Sequence, residues 1–540
     1  MSHTQTVGAR LTVAMIVRNE EAVLAESLAS VRLVADEIVV LDTGSTDQTV
    51  AVARQWGAKT DSLPWQDDFS QARNHCWRLA SGQWVLWLDA GERLAPESAL
   101  DLRSFVDAHA EPHKVYLLLV EIPTPHSSQS TQQAAKVRLV PNRPELRFVG
   151  RVRETLQPAI ESAGLVVDVA PGKILRHHRQ HDPAWRASRA QRDIRIASGE
   201  LEQSSCRPAR LLLALGEAHL TLGQFDRAVD SFCEAVSVAS PGSTAMLEAY
   251  YGLLAAMGEC EELRNERLAV CLEALERFPQ DAQLLVALGH CLQQAGRLEL
   301  AARAFDAALR VGKVDLETWH PAELAETAAL CLALTRSVQG HVDDARRVLE
   351  QAVGMFPHSH RLARHLLDMQ IRQGDYRAAL KTVQRLGVPT DEEQRLCIAV
   401  RGACRAAARQ WSEALSDLQS AYLSGCKDTI VLRWLAAVLF QTGHVMAAEP
   451  VLADWKRIDP SDPQLNVYLS LLAEERKVQS TAVPKSVGQP PTVSGLPAAA
   501  VAGILRIDPA EPVVHPTPMH LADQPNPVLP TQQSDSANAL

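Results

Sequence analysis

ADEIVVLDTGSTDQTVAVA (Ala35–Ala53) contains the pattern that decides the fold of the first third of the chain. An apolar run of strand length ends at Asp42, and a Gly-Ser-Thr turn leads into a helical pattern. LTVAMIV (Leu11–Val17) and WVLWLD (Trp84–Asp89) are similar apolar runs, with helical patterns between them. Strands without polar alternation, separated by helices, are typical of a parallel sheet covered on both faces. We therefore predict an α/β domain.

Ligands of such sheets bind at the carboxyl ends of the strands. The segments that follow the three runs each contain a carboxylate: Arg18-Asn19-Glu20, Asp42-Thr43-Gly44-Ser45-Thr46-Asp47 and Asp89-Ala90-Gly91-Glu92. We predict that Asp42 accepts hydrogen bonds from a nucleoside base or ribose. The alternative is a plain strand–turn–helix junction in which Ser45 and Thr46 cap the next helix.

Asp89 and Glu92 are candidate ligands of a divalent cation that would bridge a diphosphate. The alternative for Asp89 is a cap of a helix that starts near Pro96. In DDFSQARNH (Asp67–His75), Arg73 is a candidate phosphate ligand beside Asn74. A solvated helix face would explain the same residues.

RLVPNRPELRFVGRVRETL (Arg138–Leu156) places five arginines around Glu154. Nearby cations keep a carboxylate ionised, so Glu154 is a candidate general base for an acceptor hydroxyl. An ordinary ion pair is the alternative. His177 and His178 follow a late strand pattern, where either could approach the cation or phosphates or simply lie on the surface.

Residues 206–475 contain an internal helical repeat with a period of 34 or 35 residues in its later copies. LLLALGEAHLTLGQFDRAVDSFCEA and LLVALGHCLQQAGRLELAARAFDAAL show the small and large residues of tetratricopeptide helix pairs at the expected spacing. Stacked pairs form a superhelix with a concave groove. Residues 476–540 are rich in Pro, Ser, Thr and Gln, and we predict a disordered tail.

Composition limits the class of protein. The net charge of −10 argues against a nucleic-acid partner. The ten cysteines show no zinc or CxxC spacing, which favours free thiols in a reducing compartment. No apolar run reaches the length of a transmembrane helix, and the polar first residues do not form a signal peptide. We expect a cytoplasmic protein.

Four motifs in order, VAMIVRNEE, ADEIVVLDTGSTDQTVAVA, PWQDDFSQARN and WVLWLDAGERL, resemble those of family 2 glycosyltransferases. The match covers residues 10 to about 180. The most similar branch contains bacterial members joined to tetratricopeptide repeats. The resemblance implies a GT-A α/β domain (residues 1–205), an all-α tetratricopeptide solenoid (206–475) and the disordered tail (476–540).

The resemblance also implies roles for individual residues. It makes Glu154 the catalytic base, Asp89 and Glu92 the ligands of Mn²⁺ or Mg²⁺, and the following residues substrate-binding: Asn19, Glu20, Asp42, Ser45, Asp47, Arg73, Asn74, Arg151 and Arg153. Two positions depart from the family pattern. Gly91 replaces the second Asp of Asp-Ala-Asp-Glu, and Arg153 replaces the His of Gly-Arg-apolar-His-Glu. Arg153 could partly replace the charge of the cation.

The implied function is an inverting transfer of a hexosyl group from a nucleotide-diphospho-sugar, a UDP-sugar by preference, to a saccharide, lipid-linked or protein acceptor. The repeats would bind the acceptor or a protein partner. One alternative is a scaffold that binds nucleotide-sugars without turnover. Another is a nucleotidyltransferase-like enzyme, which the acidic VRNEE segment disfavours. The linkage, to O, S or N, stays open.

Overall fold

The computed structural model describes residues 10–124, 127–176, 182–384, 391–460 and 462–481. The chain divides into two compact units, Met1–Cys331 and Leu332–Leu540. His177, His178 and the tail beyond residue 481 lie outside the described residues. The strands are β1 (Leu11–Val17), β2 (Glu37–Asp42), β3 (Lys59–Ser62), β4 (Trp84–Trp87), β5 (Glu92–Leu94), β6 (Lys114–Thr124), β7 (Ser127–Pro141), β8 (Val166–Arg176) and β9 (His320–Pro321).

The first unit begins with alternating strands and helices and continues into paired helices. Its helices are α1 (Glu21–Val31), α2 (Thr49–Gln55), α3 (Phe69–Arg78), α4 (Ser98–Ala108), α5 (Gln157–Ser162), α6 (Pro183–Gln203), α7 (Ala209–Thr221), α8 (Phe225–Val238), α9 (Thr244–Gly258), α10 (Arg264–Arg277), α11 (Ala282–Gln294) and α12 (Leu298–Arg310). Helix α13 (Leu324–Val338) spans the division between the units.

The second unit is helical throughout its described part. It contains α14 (Val342–Met355), α15 (His360–Arg372), α16 (Tyr376–Gln384), α17 (Asp391–Ala407), α18 (Trp411–Leu423), α19 (Thr429–Gln441), α20 (Glu449–Ile458) and α21 (Pro463–Thr481). None of the helices in the described parts of the chain combines the length and the apolarity that a membrane crossing requires.

The sheet confirms the predicted α/β domain and extends it. Strand β1 pairs in parallel with β2 and β4, and β2 pairs in parallel with β3. The other half of the sheet is mixed, because β7 returns antiparallel to both β4 and β6. The full order is β3-β2-β1-β4-β7-β6-β8-β5. The predicted limits of β1 and β2 agree with the structure, whereas β4 ends two residues before Asp89.

The apolar runs predicted the sheet because both of its faces are buried. Val13 and Met15 of β1 lie in the core on one face. Ala14 lies in the core on the other face with Val39 and Leu41 of β2. A strand that is covered on both sides needs apolar residues at every position, so its carboxyl end is where polar side chains can meet a ligand.

Two of the predicted repeats pair a small residue on one helix with a large one on the next. A Cβ atom on Gly289 would lie 2.4 Å from the Phe305 ring, and one on Gly216 would lie 2.6 Å from Phe232. Both phenylalanines are buried. The glycines therefore allow α7 to approach α8, and α11 to approach α12, as the repeat pattern predicts.

A segment between α12 and α13 joins the sheet, which the sequence pattern did not predict. His320 and Pro321 form β9, which pairs antiparallel with Gln132 and Gln133 of β7. The backbone N–H of Ala135 donates to the Leu316 carbonyl at 2.6 Å, and that of Ala322 to the Thr131 carbonyl at 2.8 Å. The repeat region of the first unit therefore supplies a strand to the N-terminal sheet.

Candidate active site

Asp42 organises the turn at the carboxyl end of β2. Its carboxylate accepts hydrogen bonds from the backbone N–H groups of Gly44 and Ser45, each at 3.1 Å. Gly44 has φ +104°, a backbone conformation that favours glycine. The turn therefore has a fixed shape next to Asp42, whose side chain is almost fully buried.

The turns after β1 and β2 hold each other. The Asn19 side-chain oxygen accepts from the Thr46 N–H at 2.8 Å, and the Ser45 hydroxyl accepts from the Asn19 N–H at 2.9 Å. The Glu20 N–H donates to the Thr49 hydroxyl at 2.7 Å. The carboxylates of these turns thus lie at one edge of the sheet, as predicted.

The predicted cap of α2 was wrong. Ser45 and Thr46 lie in the turn, and the helix begins only at Thr49. Asp47 instead accepts from the Thr49 N–H at 3.0 Å and from the Glu21 N–H at 3.3 Å. Asp47 therefore joins the starts of two helices, and its predicted contact with substrate stays a prediction.

Arg73 joins two carboxylates that the sequence separates widely. Its Nη2 donates to Asp89 Oδ1 at 2.9 Å, and its Nε donates to Glu154 Oε1 at 2.5 Å. The guanidinium lies 5.3 Å from the centre of the Trp87 ring and 5.4 Å from that of Phe148. Asp89, the predicted acid on the donor side, and Glu154, the predicted base, therefore contact the same guanidinium group of Arg73.

The charges of this cluster stabilise one another. Burial alone would raise the pKa of Asp89, but Arg73, Arg138 and Arg176 outweigh it and hold that pKa well below its usual range. Burial opposes the charge of Arg73 as well, yet Asp89 and Glu154 raise its pKa further. Asp89 and Arg73 are therefore both ionised at physiological pH.

Asn74 holds the loop that carries Glu154. Its side-chain amide donates to the Phe148 carbonyl at 2.9 Å and accepts from the Phe148 N–H at 2.9 Å. Asp68 caps the same helix by accepting from the Gln71 N–H at 2.9 Å. The predicted substrate contact of Asn74 stays a prediction, and in this structure its amide contacts the backbone of Phe148.

Comparison with known proteins shows which families parts of the chain resemble. Residues 12–136 match the model of glycosyl transferase family 2. Residues 209–240, 268–313 and 332–390 match models of the tetratricopeptide repeat. The chain carries a family 2 glycosyltransferase region joined to tetratricopeptide repeats. Asn19, Glu20, Asp42, Arg73 and Asp89 lie inside the glycosyltransferase match.

Two curated relatives are similar in sequence to part of this chain. A tetratricopeptide repeat-containing protein of Synechococcus elongatus is 35% identical over 175 residues, which is 32% of this chain and 42% of that protein. An uncharacterized glycosyltransferase of Rickettsia felis is 34% identical over 100 residues, 18% of this chain and 35% of that protein. The chain thus spans less than half the length of either relative.

A solved structure shows only a distant likeness. TarS of S. aureus has a TM-score of 0.27 and 16% identity, over 46% of this chain and 54% of that one. This likeness is too low to support any argument about the glycosyltransferase region. The chemistry of the site must therefore be inferred from the residues of this chain.

The residues at the predicted cation site do not fit that role. Glu92 is 1% exposed. Its Oε1 accepts from Arg138 at 2.8 Å and from Arg176 at 2.7 Å, and its Oε2 accepts from the Asp89 N–H at 3.0 Å. In the described parts of the chain, no group of three or more acidic, histidine or cysteine residues could hold a metal ion. Asp89 alone would remain as a carboxylate ligand.

The side chains of Arg151 and Arg153 contact residues of α6 and of the repeat helices. Arg153 pairs with Glu217 at 2.9 Å and with Glu248, both on repeat helices. The side chain of Arg151 donates to Gln203 at 3.0 Å. In this structure the repeat carboxylates pair with the Arg153 guanidinium, and the idea that Arg153 partly replaces the charge of a cation stays a prediction.

The arginine-rich loop was also expected to surround Glu154. The cationic partner of Glu154 is Arg73 instead. The loop arginines bind elsewhere: Arg143 donates to the Pro112 carbonyl at 2.6 Å, and Arg147 to the Leu146 carbonyl at 2.7 Å. The clustering of arginines in the sequence therefore did not predict which groups they contact in the structure.

Sequence reasoning missed Arg176 and Arg189. Arg176 ends β8, and strand pairing places it directly opposite Glu92 of β5. Arg189 lies on α6, where its charge interacts with those of Arg176 and Asp89. The antiparallel pairing that brings Arg176 to the site joins strands far apart in the chain, so no local pattern could have shown it.

Proposed function

We propose that this protein is an inverting glycosyltransferase. It transfers a hexosyl group from a nucleotide-diphospho-sugar, a UDP-sugar by preference, to a saccharide, lipid-linked or protein acceptor in the cytoplasm. The observation that carries the proposal is the Asp89–Arg73–Glu154 arrangement at the carboxyl edge of the strands. Arg73 and Asp89 lie inside the region that matches glycosyl transferase family 2, and Glu154 follows it in the chain.

The turns that contain Asn19, Glu20 and Asp42 bind the nucleoside in this proposal. Glu154 accepts the proton of the acceptor nucleophile. The nucleophile forms a bond to the anomeric carbon while the bond from that carbon to the diphosphate breaks. One displacement inverts the centre, and the electron pair leaves with the nucleoside diphosphate. Ser45, Asp47 and Arg73 shape the donor side.

The repeats bind the acceptor or a protein partner in this proposal. Their link to the site is Arg153, which pairs with Glu217 and Glu248 of the repeats and directly precedes the base Glu154 in the chain. A nucleic-acid partner is not proposed. Mn²⁺ or Mg²⁺ remains a prediction, and no step of the proposed reaction uses it, because Glu92 is held by Arg138 and Arg176.

A second candidate is a scaffold that binds nucleotide-sugars without turnover. The observation that favours it is the engagement of both Glu92 oxygens inside the protein. The scaffold predicts binding of nucleoside diphosphates with no release of product from any donor.

The test is release of nucleoside diphosphate from a panel of UDP-, GDP- and dTDP-sugars, with candidate acceptors present. Glu154→Gln should lower turnover by roughly 10²–10⁴-fold, because a general base contributes about that much. Binding of the nucleotide should stay the same. Glu161→Gln is the control, since Glu161 is exposed and hydrogen bonds to Gln157 nearby.

Equal turnover of the Glu154→Gln and wild-type proteins would show that Glu154 is not the base. Nucleotide binding without release from any donor, in wild-type protein, would favour the scaffold.

A further inference from the structure

Three arginine side chains lie within 4 Å of the Asp89 carboxylate. Arg138 and Arg176 lie 3.6 and 3.9 Å from Asp89 Oδ2, and Arg73 occupies Oδ1. An anionic Asp89 would repel a bare diphosphate. Here its charge is balanced by guanidinium groups on both oxygens, so an anion can approach.

Glu92 has become an anchor for these arginines. It receives three hydrogen bonds from Arg138 and Arg176 at 2.7 to 3.1 Å. A buried carboxylate that two guanidiniums share fixes their planes and leaves their other N–H groups in defined directions. The acid that the family pattern assigns to a cation therefore positions arginines in this chain.

The positive charge of Arg189 is only partly neutralised by nearby carboxylates. Its nearest carboxylate is Asp193 at 3.8 Å, and Asp193 also pairs with Arg192 at 2.8 Å. The side chain of Arg189 is 49% exposed, whereas that of Arg176 is 23% exposed. The charges of Arg176 and Arg192 oppose that of Arg189, whereas those of Asp193 and Asp89 favour it. A bound anion would relieve that repulsion.

We propose that Arg176 and Arg189, supported by Arg138, bind the diphosphate of the donor without a divalent cation. Guanidinium groups match phosphate oxygens in pairs and stay charged, so they can neutralise the leaving diphosphate as the bond to the sugar breaks. This inference rests on the proposed function for the identity of the ligand. An anionic group on the acceptor could use the same arginines, and competition between UDP and pyrophosphate separates these two sources.

The test is calorimetric binding of UDP, uridine and inorganic pyrophosphate to the full chain, in EDTA and in Mn²⁺. We expect UDP to bind with the same Kd, within about threefold, in both buffers. Pyrophosphate should bind in EDTA and compete with UDP. A site for an acceptor anion would instead bind pyrophosphate together with UDP, which would overturn the assignment to the donor.

Arg189→Gln should weaken binding of UDP and pyrophosphate by at least about tenfold and leave uridine unchanged, with partial recovery in Arg189→Lys. Arg176→Gln should also weaken binding of UDP and pyrophosphate, but it removes one of the two cations that neutralise Glu92. The Arg189 variant is therefore the decisive one. Arg186→Gln is the matched control, because Arg186 is exposed on the same helix. Equal UDP affinity of Arg189→Gln and wild type would overturn the proposal.

The two proposals can fail separately. UDP binding that requires Mn²⁺ would overturn the cation-free site and leave glycosyl transfer intact. Binding of pyrophosphate and UDP in EDTA, with no release from any donor, would support the arginine site and contradict the proposed activity.

Discussion

Arg73 shows how one side chain can set the spacing of a whole site. Its two donating edges hold Asp89 and Glu154, while Trp87 and Phe148 limit the movement of its guanidinium plane. A planar cation with donors along two edges can do this, whereas an ammonium group offers one point of contact. The distance between the donor side and the base therefore depends on this arginine.

Arg73→Lys should keep the charge but lose the double contact. We expect a loss of turnover of about 100-fold, because a displacement of roughly 1 Å in a catalytic group can cost that much. Arg73→Met should lower the free energy of unfolding by about 3 kcal/mol, since it leaves Glu154 without its cation and Asp89 with only the more distant Arg138 and Arg176. Rates of product release and denaturant unfolding measure the two effects.

Arg78→Lys is the control for both measurements, because Arg78 is exposed at the end of the same helix. Wild-type turnover in Arg73→Lys would contradict the role of the double contact.

Asp89 should also leave a signature in the pH dependence of stability. Its folded-state pKa is lowered from the ordinary value of 3.8. The stability that its ionised form contributes is therefore fully present above about pH 5 and is lost as the pH falls below about 4 toward the folded pKa. Unfolding free energies of wild type and Asp89→Asn should differ by a constant amount from about pH 8 to about pH 5. The difference should shrink below about pH 4, and a difference that grows there would contradict the ion pairs.

The sequence predicted those strands and helices whose limits depend on a local pattern of residues. The limits of β1 and β2 followed from uninterrupted apolar runs, and the repeat helices followed from the spacing of small and large residues. The arrangement of β5 to β9 did not follow, because antiparallel pairing joins segments with no shared local signal. The candidate site was likewise predicted only in part. Asp42 and Asp89 were predicted from their positions after apolar strands, whereas Arg73, the partner of Glu154, lies on a helix 81 residues earlier in the chain.

The contact of Gly289 with Phe305 gives a prediction about the repeat helices. Gly289→Ala should destabilise the protein by roughly 1–3 kcal/mol, because the new Cβ lies 2.4 Å from the Phe305 ring. This penalty exceeds the gain of up to about 1 kcal/mol that alanine brings to a helix. Thermal and denaturant unfolding of the full chain measure it.

Gly199→Ala is the matched control in the same compact unit, since its Cβ would have no atom within 4 Å. That variant should keep or slightly raise stability. Adding Phe305→Leu to Gly289→Ala should recover part of the loss if the clash is its cause.

In the molecule as a whole, the sheet and the first repeats form one compact unit up to Cys331. Val152, in the loop between β7 and α5, lies in one apolar cluster with Ile196 of α6 and Leu211 of α7. The strand β9 adds a backbone connection from the far side of the repeats. A division of the chain at residue 205 remains a prediction, and the packing shows that the two sides of that position stabilise each other.

Trp319, next to β9, should couple the repeats to the site. Its ring lies 5.7 Å from the charged groups of both Arg176 and Lys136, and each such contact contributes about 0.5–2 kcal/mol. Trp319→Ala should speed amide hydrogen exchange at Ala135 and Ala322 by at least about tenfold, because it loosens the segment that pairs with β7. It should also weaken UDP binding, whereas Trp319→Phe should retain most of both properties. Val314→Ala, an exposed position in the same segment, is the control. Unchanged exchange in Trp319→Ala would show that β9 is held without its aromatic neighbour.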